Sequence, residues 1–227
     1  MKKKIGILGG FSYESTIQYY DNLMRLYYER FHDYYYPEVV IYSMDFQKFT
    51  DMENENRMDD YRAYILESIH ALKAAGVDFV AMSANSPHSV YDDIAPQAGV
   101  PMVSIVESVG EYAAKHNMKK VLLTGIKYTM NSAFYPKGLA KRGIEAAVPS
   151  DADKDAINRI IFDELCIGNF QDSTRERFKE IISSYEADGV ILGCTELPLL
   201  LHQEDTDIPL ISSVDVHCEA IMEYALG

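Results

Sequence analysis

The sequence has no tryptophan, three cysteines and 21 basic residues against 35 acidic ones, and each shortage argues against a class of protein. Three cysteines are an odd count, and Cys166, Cys194 and Cys218 show no CxxC spacing. Neither a disulfide scaffold nor a metal site is therefore expected, and the thiols should be reduced. A net charge of −14 offers no clustered Lys and Arg surface for tracking phosphates, so nucleic acid is not an expected partner. The one basic run, Lys2-Lys3-Lys4, reads as a solvated end flanking a strand. No apolar stretch reaches the ~18 residues of a membrane helix, and Met1 leads into a charged strand rather than a signal-peptide apolar region. The expected location is the cytoplasm, with no membrane partner. A dinucleotide fingerprint is missing too, because Ile5-Gly6-Ile7-Leu8-Gly9-Gly10 does not meet the GxGxxG spacing.

What the sequence does contain is an alternation. Short apolar β-branched runs at Ile5–Leu8, Val39–Tyr42, Phe79–Met82, Val121–Thr124 and Val190–Leu192 read as buried parallel strands. Between them, Glu14–Phe31, Arg57–Ala75, Ile105–His116, Ala133–Arg142, Asp155–Leu165 and Thr174–Ala187 carry apolar residues at helical spacing and read as crossover helices. An internal repeat at an offset of roughly 110 residues organises the pattern. It matches Ala75–Ser86 to Asp188–Glu196, with a two-residue difference before the strand, so that Ala84 falls opposite Cys194. It also matches Val100–Glu107 to Ile208–Asp215, each a short strand entering a helix. The fold class is therefore α/β, with two pseudo-symmetric doubly wound lobes built on parallel sheets and the active site expected in the cleft between them. The first lobe is expected to span residues 1–98 plus 212–227, and the second residues 99–211.

Ligands in such sheets bind beyond the carboxyl ends of the strands, and the turns there are rich in Ser, Thr, Asn and Gly. Cys194 follows a strand directly, beside Gly193 and before Thr195-Glu196. Nearby helix N-terminal amides would favour a thiolate at that position. Cys166 and Cys218 lie within helical segments and read as ordinary buried thiols. Ser12, Ser15 and Thr16 can offer hydroxyls to a small anion at a helix N-terminus, or serve only as the cap of a strand-to-helix turn. Asn85, Ser86 and Thr195 can donate to a carboxylate or cap their turns. His88 and Glu196 are either acid–base groups or hydrogen-bonded structural residues. The tyrosines at 27, 28 and 34–36 read as a packing or subunit surface.

Taken together, Gly9–Thr16, Asn85-Ser86-Pro87-His88, Gly125–Met130, Ile157–Gly168 and Gly193-Cys194-Thr195-Glu196 resemble the aspartate/glutamate racemase family, the cofactor-independent amino-acid racemases. The resemblance spans nearly the whole chain. It implies a homodimeric isomerase without pyridoxal phosphate or other cofactor. One thiol on each face of the substrate Cα removes or returns the proton. It further implies that Ser12, Asn85, Ser86, Thr129 and Thr195 hold the amino and carboxylate ends of an amino acid, with Glu196 beside the second cysteine. The first cysteine of the pattern is replaced by Ala84, which leaves Cys194 as the one thiol acid/base. An alanine there fits a one-directional enzyme, an impaired one or an engineered Cys-to-Ala form alike. It also fits a single-cysteine decarboxylase or isomerase of the same superfamily, or a catalytically silent amino-acid-binding protein. Aspartate or glutamate is the family-level substrate, although the segment Gln47–Asn56, read as a loop, offers only Lys48 among acidic residues.

Overall fold

The β-branched runs become strands and the amphipathic segments carry the chain back across each sheet, in a computed structural model that describes residues 2–227. Two units result. The first comprises everything up to Ile105 together with His217–Gly227, and the second is Val106–Val216.

The first unit runs β1 (Ile5–Gly9), α1 (Tyr13–Phe31), β2 (Val39–Ser43), α2 (Phe46–Asn54), α3 (Met58–Ala74) and β3 (Phe79–Met82). A set of short turns containing α4 (Tyr91–Ile94) follows, then β4 (Met102–Val103) and the start of α5 (Ile105–Lys115). The second unit holds β5 (Lys120–Gly125), α6 (Lys127–Asn131), α7 (Phe134–Ala140), β6 (Glu145–Ala147), α8 (Asp151–Arg159) and α9 (Asp172–Ser183). It continues through β7 (Gly189–Gly193), α10 (Leu197–Leu200) and β8 (Leu210–Ser212) into α11 (Ser213–Leu226), whose last part returns to the first unit. The sheets have the same order, β2-β1-β3-β4 and β6-β5-β7-β8, with every pairing parallel.

The repeat seen in the sequence is thus a repeat of topology, and it extends to individual bonds. Ile5 pairs with Phe79 as Val121 pairs with Gly189. The Val80 N–H donates to Pro101 O at 2.9 Å, and the Val190 N–H to Pro209 O at 2.8 Å. Asp78 accepts the Lys4 N–H at 2.6 Å, and Asp188 accepts those of Lys119 and Lys120 at 2.6 and 2.9 Å. In each unit, then, one carboxylate satisfies the amides that enter the first strand. These bonds hold the Asp188 carboxyl below its ordinary range.

Burial follows the strand order. All five residues of β1 and of β7 are buried, as inner strands with helices on both faces should be. Leu8, Val80 and Met82 pack with Ile65, Ile69 and Leu72 of α3 in the first unit. Leu122, Val190 and Leu192 pack with Phe178, Ile181 and Ile182 of α9 in the second. Each such fully buried side chain contributes roughly 1.5–3 kcal/mol relative to exposure.

Three elements depart from the sequence expectation. The segment after β2 is a helix, α2, capped by the Asp45 side chain accepting the Lys48 N–H at 3.1 Å and anchored by buried Phe49 and Met52. β6 has only three residues, none β-branched and none fully buried. The helix expected over Asp155–Leu165 starts earlier, at a Ser150 cap, and passes after Arg159 into a π-helical turn over Ile160–Glu164, with a 3-10 turn over Leu165–Ile167 ending at the left-handed Gly168.

Candidate active site

Each unit gathers its sequence-predicted site residues beyond the carboxyl ends of its inner strands. In the second unit, β5 and β7 are neighbours and Gly125 lies opposite Gly193. Close backbone approach requires both glycines. A Cβ on Gly193 would come within 2.4 Å of Thr124 O, and one on Gly125, whose φ is +151°, within 2.8 Å of Gly193 O. The first residue past β7 is Cys194, half-buried. Its Sγ donates to Glu196 Oε2 at 2.8 Å, and the Thr195 hydroxyl donates to the same oxygen at 2.7 Å.

This arrangement reverses the charge state expected at Cys194. Burial pushes the thiol well above its ordinary range, and the Glu196 carboxylate pushes it further through its charge and its hydrogen bond. The Glu196 backbone amide acts the other way but is outweighed, and α10, with four residues, is too short to supply much dipole. At neutral pH Cys194 is therefore a neutral thiol with a carboxylate already in place to accept its proton. Thr129, in α6 after β5, is fully buried, and its hydroxyl has no hydrogen-bond partner among the described residues. An unpaired buried hydroxyl costs about 1–3 kcal/mol, a penalty that a polar ligand would relieve.

In the first unit, Ser12 caps α1, its Oγ accepting the Ser15 N–H at 3.0 Å. Ser15 and Thr16 are not available for an anion. Both are buried, the Ser15 hydroxyl donates to Ser83 O, and the Thr16 hydroxyl donates to Ser12 O at 2.9 Å while accepting the Gly10 N–H at 2.9 Å. The Ser15 bond joins the turn after β1 to the turn after β3, where Ala84, Asn85 and Ser86 follow in order; Asn85 is buried, Ala84 and Ser86 half-buried. Because Leu8 pairs with Met82 and Thr124 with Leu192, continuing both strands by two residues makes Ala84 and Cys194 equivalent positions of the two sheets. Ser12, Ala84, Asn85 and Ser86 are thus brought together in one unit, and Thr129, Cys194, Thr195 and Glu196 in the other.

His88 is structural. Its Nδ1–H donates to Ala84 O at 2.9 Å, and its Nε2 accepts the Ile105 N–H at 3.1 Å, which fixes the neutral tautomer. Loss of hydration, aided by nearby His217, lowers it to about 3. His217 accepts the Tyr19 hydroxyl at 2.8 Å and donates to Val103 O at 3.1 Å, and burial lowers it to about 4. The sequence carries no signal for this pairing, since the two histidines are distant along the chain. Lys48 is exposed on α2, its ammonium 4.0 Å from the centre of the Tyr64 ring. Cys166 is exposed rather than buried, on the 3-10 turn, close enough that its charge raises Cys194 further. Cys218 is buried. Among the described residues no group of His, Cys, Asp and Glu could hold a metal ion, and no helix is long and apolar enough to cross a membrane.

Comparison with known proteins agrees with this architecture. The family model described as Asp/Glu/Hydantoin racemase matches residues 8–221. The chain is 30% identical over 214 residues to the broad specificity amino-acid racemase RacX of Bacillus subtilis (strain 168), covering 92% of each. It is similar to the crystal structure of an aspartate racemase homologue from Pyrococcus horikoshii OT3, with a TM-score of 0.89, 40% identity and coverage of 99% of this chain and 100% of that one. The aspartate racemase of Picrophilus torridus shares the fold, with a TM-score of 0.79, 21% identity and coverage of 98% and 94%. With two parallel four-stranded α/β units and a family match along nearly its whole length, the chain belongs to the Asp/Glu/Hydantoin racemase family.

Proposed function

We propose that the protein is a pyridoxal-independent amino-acid racemase, with aspartate or glutamate as first substrate to assay, in which Cys194 is the acid/base that exchanges the Cα proton. The observation that carries this reading is the Cys194 thiol hydrogen-bonded to Glu196 beyond β7. Passing its proton to Glu196 turns Cys194 into a thiolate that can take the Cα proton. In the reverse role the thiol gives its proton to a Cα carbanion and is recharged from Glu196 or solvent. Ser12, Asn85, Ser86, Thr129 and Thr195 are the groups assigned to the amino and carboxylate ends. The equivalent residue of the first unit is Ala84, whose methyl cannot move a proton, so exchange of the Cα proton on the Cys194 face needs only Cys194, whereas full racemisation needs solvent water to supply or take the proton on the opposite face. The broad specificity named for the Bacillus relative extends the substrate panel to neutral amino acids.

The test follows solvent deuterium into Cα for both enantiomers of aspartate, glutamate and a neutral panel. Exchange is expected in the wild type and should vanish in Cys194→Ser; exchange that persists at the wild-type rate would refute the assignment. A resting protonated thiol without a partner cysteine at position 84 favours one second reading, a decarboxylase. There a C–C bond to carboxylate breaks, carbon dioxide leaves, and the carbanion takes the Cys194 proton. Carbon dioxide release from substituted malonates, without D/L interconversion of amino acids, would establish it instead.

A further inference from the structure

A second unpartnered hydroxyl lies in the turn after β3, directly before Ala84. Ser83 is fully buried, and its Oγ, like Thr129 Oγ1, has no hydrogen-bond partner among the described residues. The backbone cannot turn to give it one. The Ser83 N–H donates to Leu8 O at 2.9 Å and the Ser83 carbonyl accepts the Ser15 hydroxyl, so both ends of the residue are pinned. The equivalent position of the second unit has no side chain at all. As Ala84 corresponds to Cys194, Ser83 corresponds to Gly193, where a Cβ would come within 2.4 Å of Thr124 O. Over the same two positions the units are opposites: glycine then thiol in one, hydroxyl then methyl in the other. Alanine at 83 would fill nearly the same volume as serine without burying a polar group, so the hydroxyl points to a polar partner from outside the chain.

We infer that Ser83 holds the water that works on the substrate face opposite Cys194, a positioning role that rests on the racemase reading above. Alanine is smaller than cysteine by one sulfur atom, a body about the size of a water molecule, so the residue that removes the thiol also makes the room. Neighbouring Cα atoms are about 3.8 Å apart, and a water about 2.8 Å from Ser83 Oγ stays close enough to border the Ala84 methyl. The proton steps balance. In one direction Cys194, as thiolate, takes the Cα proton, and the carbanion takes a proton from the water and leaves hydroxide. Solvent returns a proton to the hydroxide while Cys194 passes its own through Glu196 to solvent. In the other direction the hydroxide takes the Cα proton and the Cys194 thiol supplies the new one. A hydroxyl bonds more strongly to an ion than to a neutral group, so Ser83 acts where the hydroxide is present and not on the binding of the amino acid.

Two rates measured in deuterium oxide test the inference, for both enantiomers of aspartate, glutamate and a neutral panel. One is Cα deuterium incorporation without inversion, by NMR; the other is D/L interconversion, by chiral chromatography. Ser83→Ala should keep the first rate and KM near the wild-type values and should melt no lower than the wild type. Interconversion should fall by about 10–100-fold, the worth of one hydrogen bond to a charged group. In Ser83→Ala/Ala84→Cys a thiol replaces the water, and interconversion should return at least to the wild-type rate. Unchanged interconversion in Ser83→Ala, with exchange present in the wild type, overturns the inference and leaves the racemase reading standing. Parallel loss of both rates overturns it too, because Ser83 would then support the whole site, and so does a double variant no faster than Ser83→Ala. A wild type with neither exchange nor interconversion overturns the inference and the racemase reading together.

Discussion

Acid should destabilise the first unit steeply, because it buries two histidines that must stay neutral. Below its unfolded value of about 6.5 a histidine is protonated in the unfolded chain, while His88 and His217 resist protonation in the fold down to about 3 and about 4. Between those limits the unfolded state binds more protons, so stability rises with pH. The contribution is complete above the unfolded value and is lost as pH falls toward the folded values. Each group contributes a slope of about 1.4 kcal/mol per pH unit, so the pair should remove roughly 4 kcal/mol by about pH 5 relative to neutral pH. The structure gives the reason for the resistance. Protonating His88 would point an Nε2–H at the Ile105 N–H it now accepts, within 5.9 Å of the His217 ring centre. Urea titrations followed by far-UV circular dichroism at several pH values would measure the slope. His88→Asn, whose amide can still donate to Ala84 O, and His217→Gln, whose amide can still donate to Val103 O, should each lower stability at neutral pH. Each should also flatten the slope by about 1.4 kcal/mol per pH unit. Identical slopes in wild type and variants, or a His88 resonance titrating near 6.5, would refute the reasoning.

Two further outcomes concern the thiol and its equivalent position. Glu196→Gln removes the carboxylate that raises Cys194, so in a Cys166→Ser background the midpoint for alkylation of Cys194 should move to lower pH; an unchanged or higher midpoint would show that burial alone sets the thiol. Ala84→Cys introduces a thiol at the position equivalent to Cys194. It should raise Cα deuterium incorporation in at least one direction by a factor in the ~10²–10⁴ range of a positioned acid–base group, and a variant that binds substrate yet gains nothing would count against a role for position 84.

The parts of the fold that were legible in the sequence are those where burial is complete and the period unambiguous. Phe79–Met82, all four residues buried, coincides with its expected bounds, and the repeat reappears as identical strand order in the two sheets. β6 escaped because Glu145-Ala146-Ala147 has neither β-branched residues nor a buried face, and its place is set by its neighbour β5. α2 escaped because its charged residues mask two buried side chains, Phe49 and Met52, on a nine-residue helix. The Asp155–Leu165 pattern was correctly apolar, since Ile157, Ile160, Ile161 and Leu165 are all buried. Periodicity could not register the extra residue of a π turn, which shifts the face by about one position without breaking the apolar count.

At the candidate site the same division holds between position and chemistry. A cysteine directly after a buried strand is visible as a residue at the mouth of a sheet, and so is its alignment with Ala84. Protonation depends on which neighbours share the turn. Glu196 stands two residues on, and sequence alone leaves open whether it turns toward solvent or back onto the thiol. The structure folds it back, within 2.8 Å of Cys194 Sγ and 2.7 Å of the Thr195 hydroxyl, and that choice helps to keep the resting thiol protonated. Ser15 and Thr16 illustrate the converse. Their hydroxyls suited an anion site by type and spacing, but a buried hydroxyl must find a partner, and the nearest carbonyls, Ser83 O and Ser12 O, take both. The unpaired hydroxyl that survives this competition in the second unit, Thr129, is consequently the better indicator of where a ligand would bond than the hydroxyl-rich turn after β1.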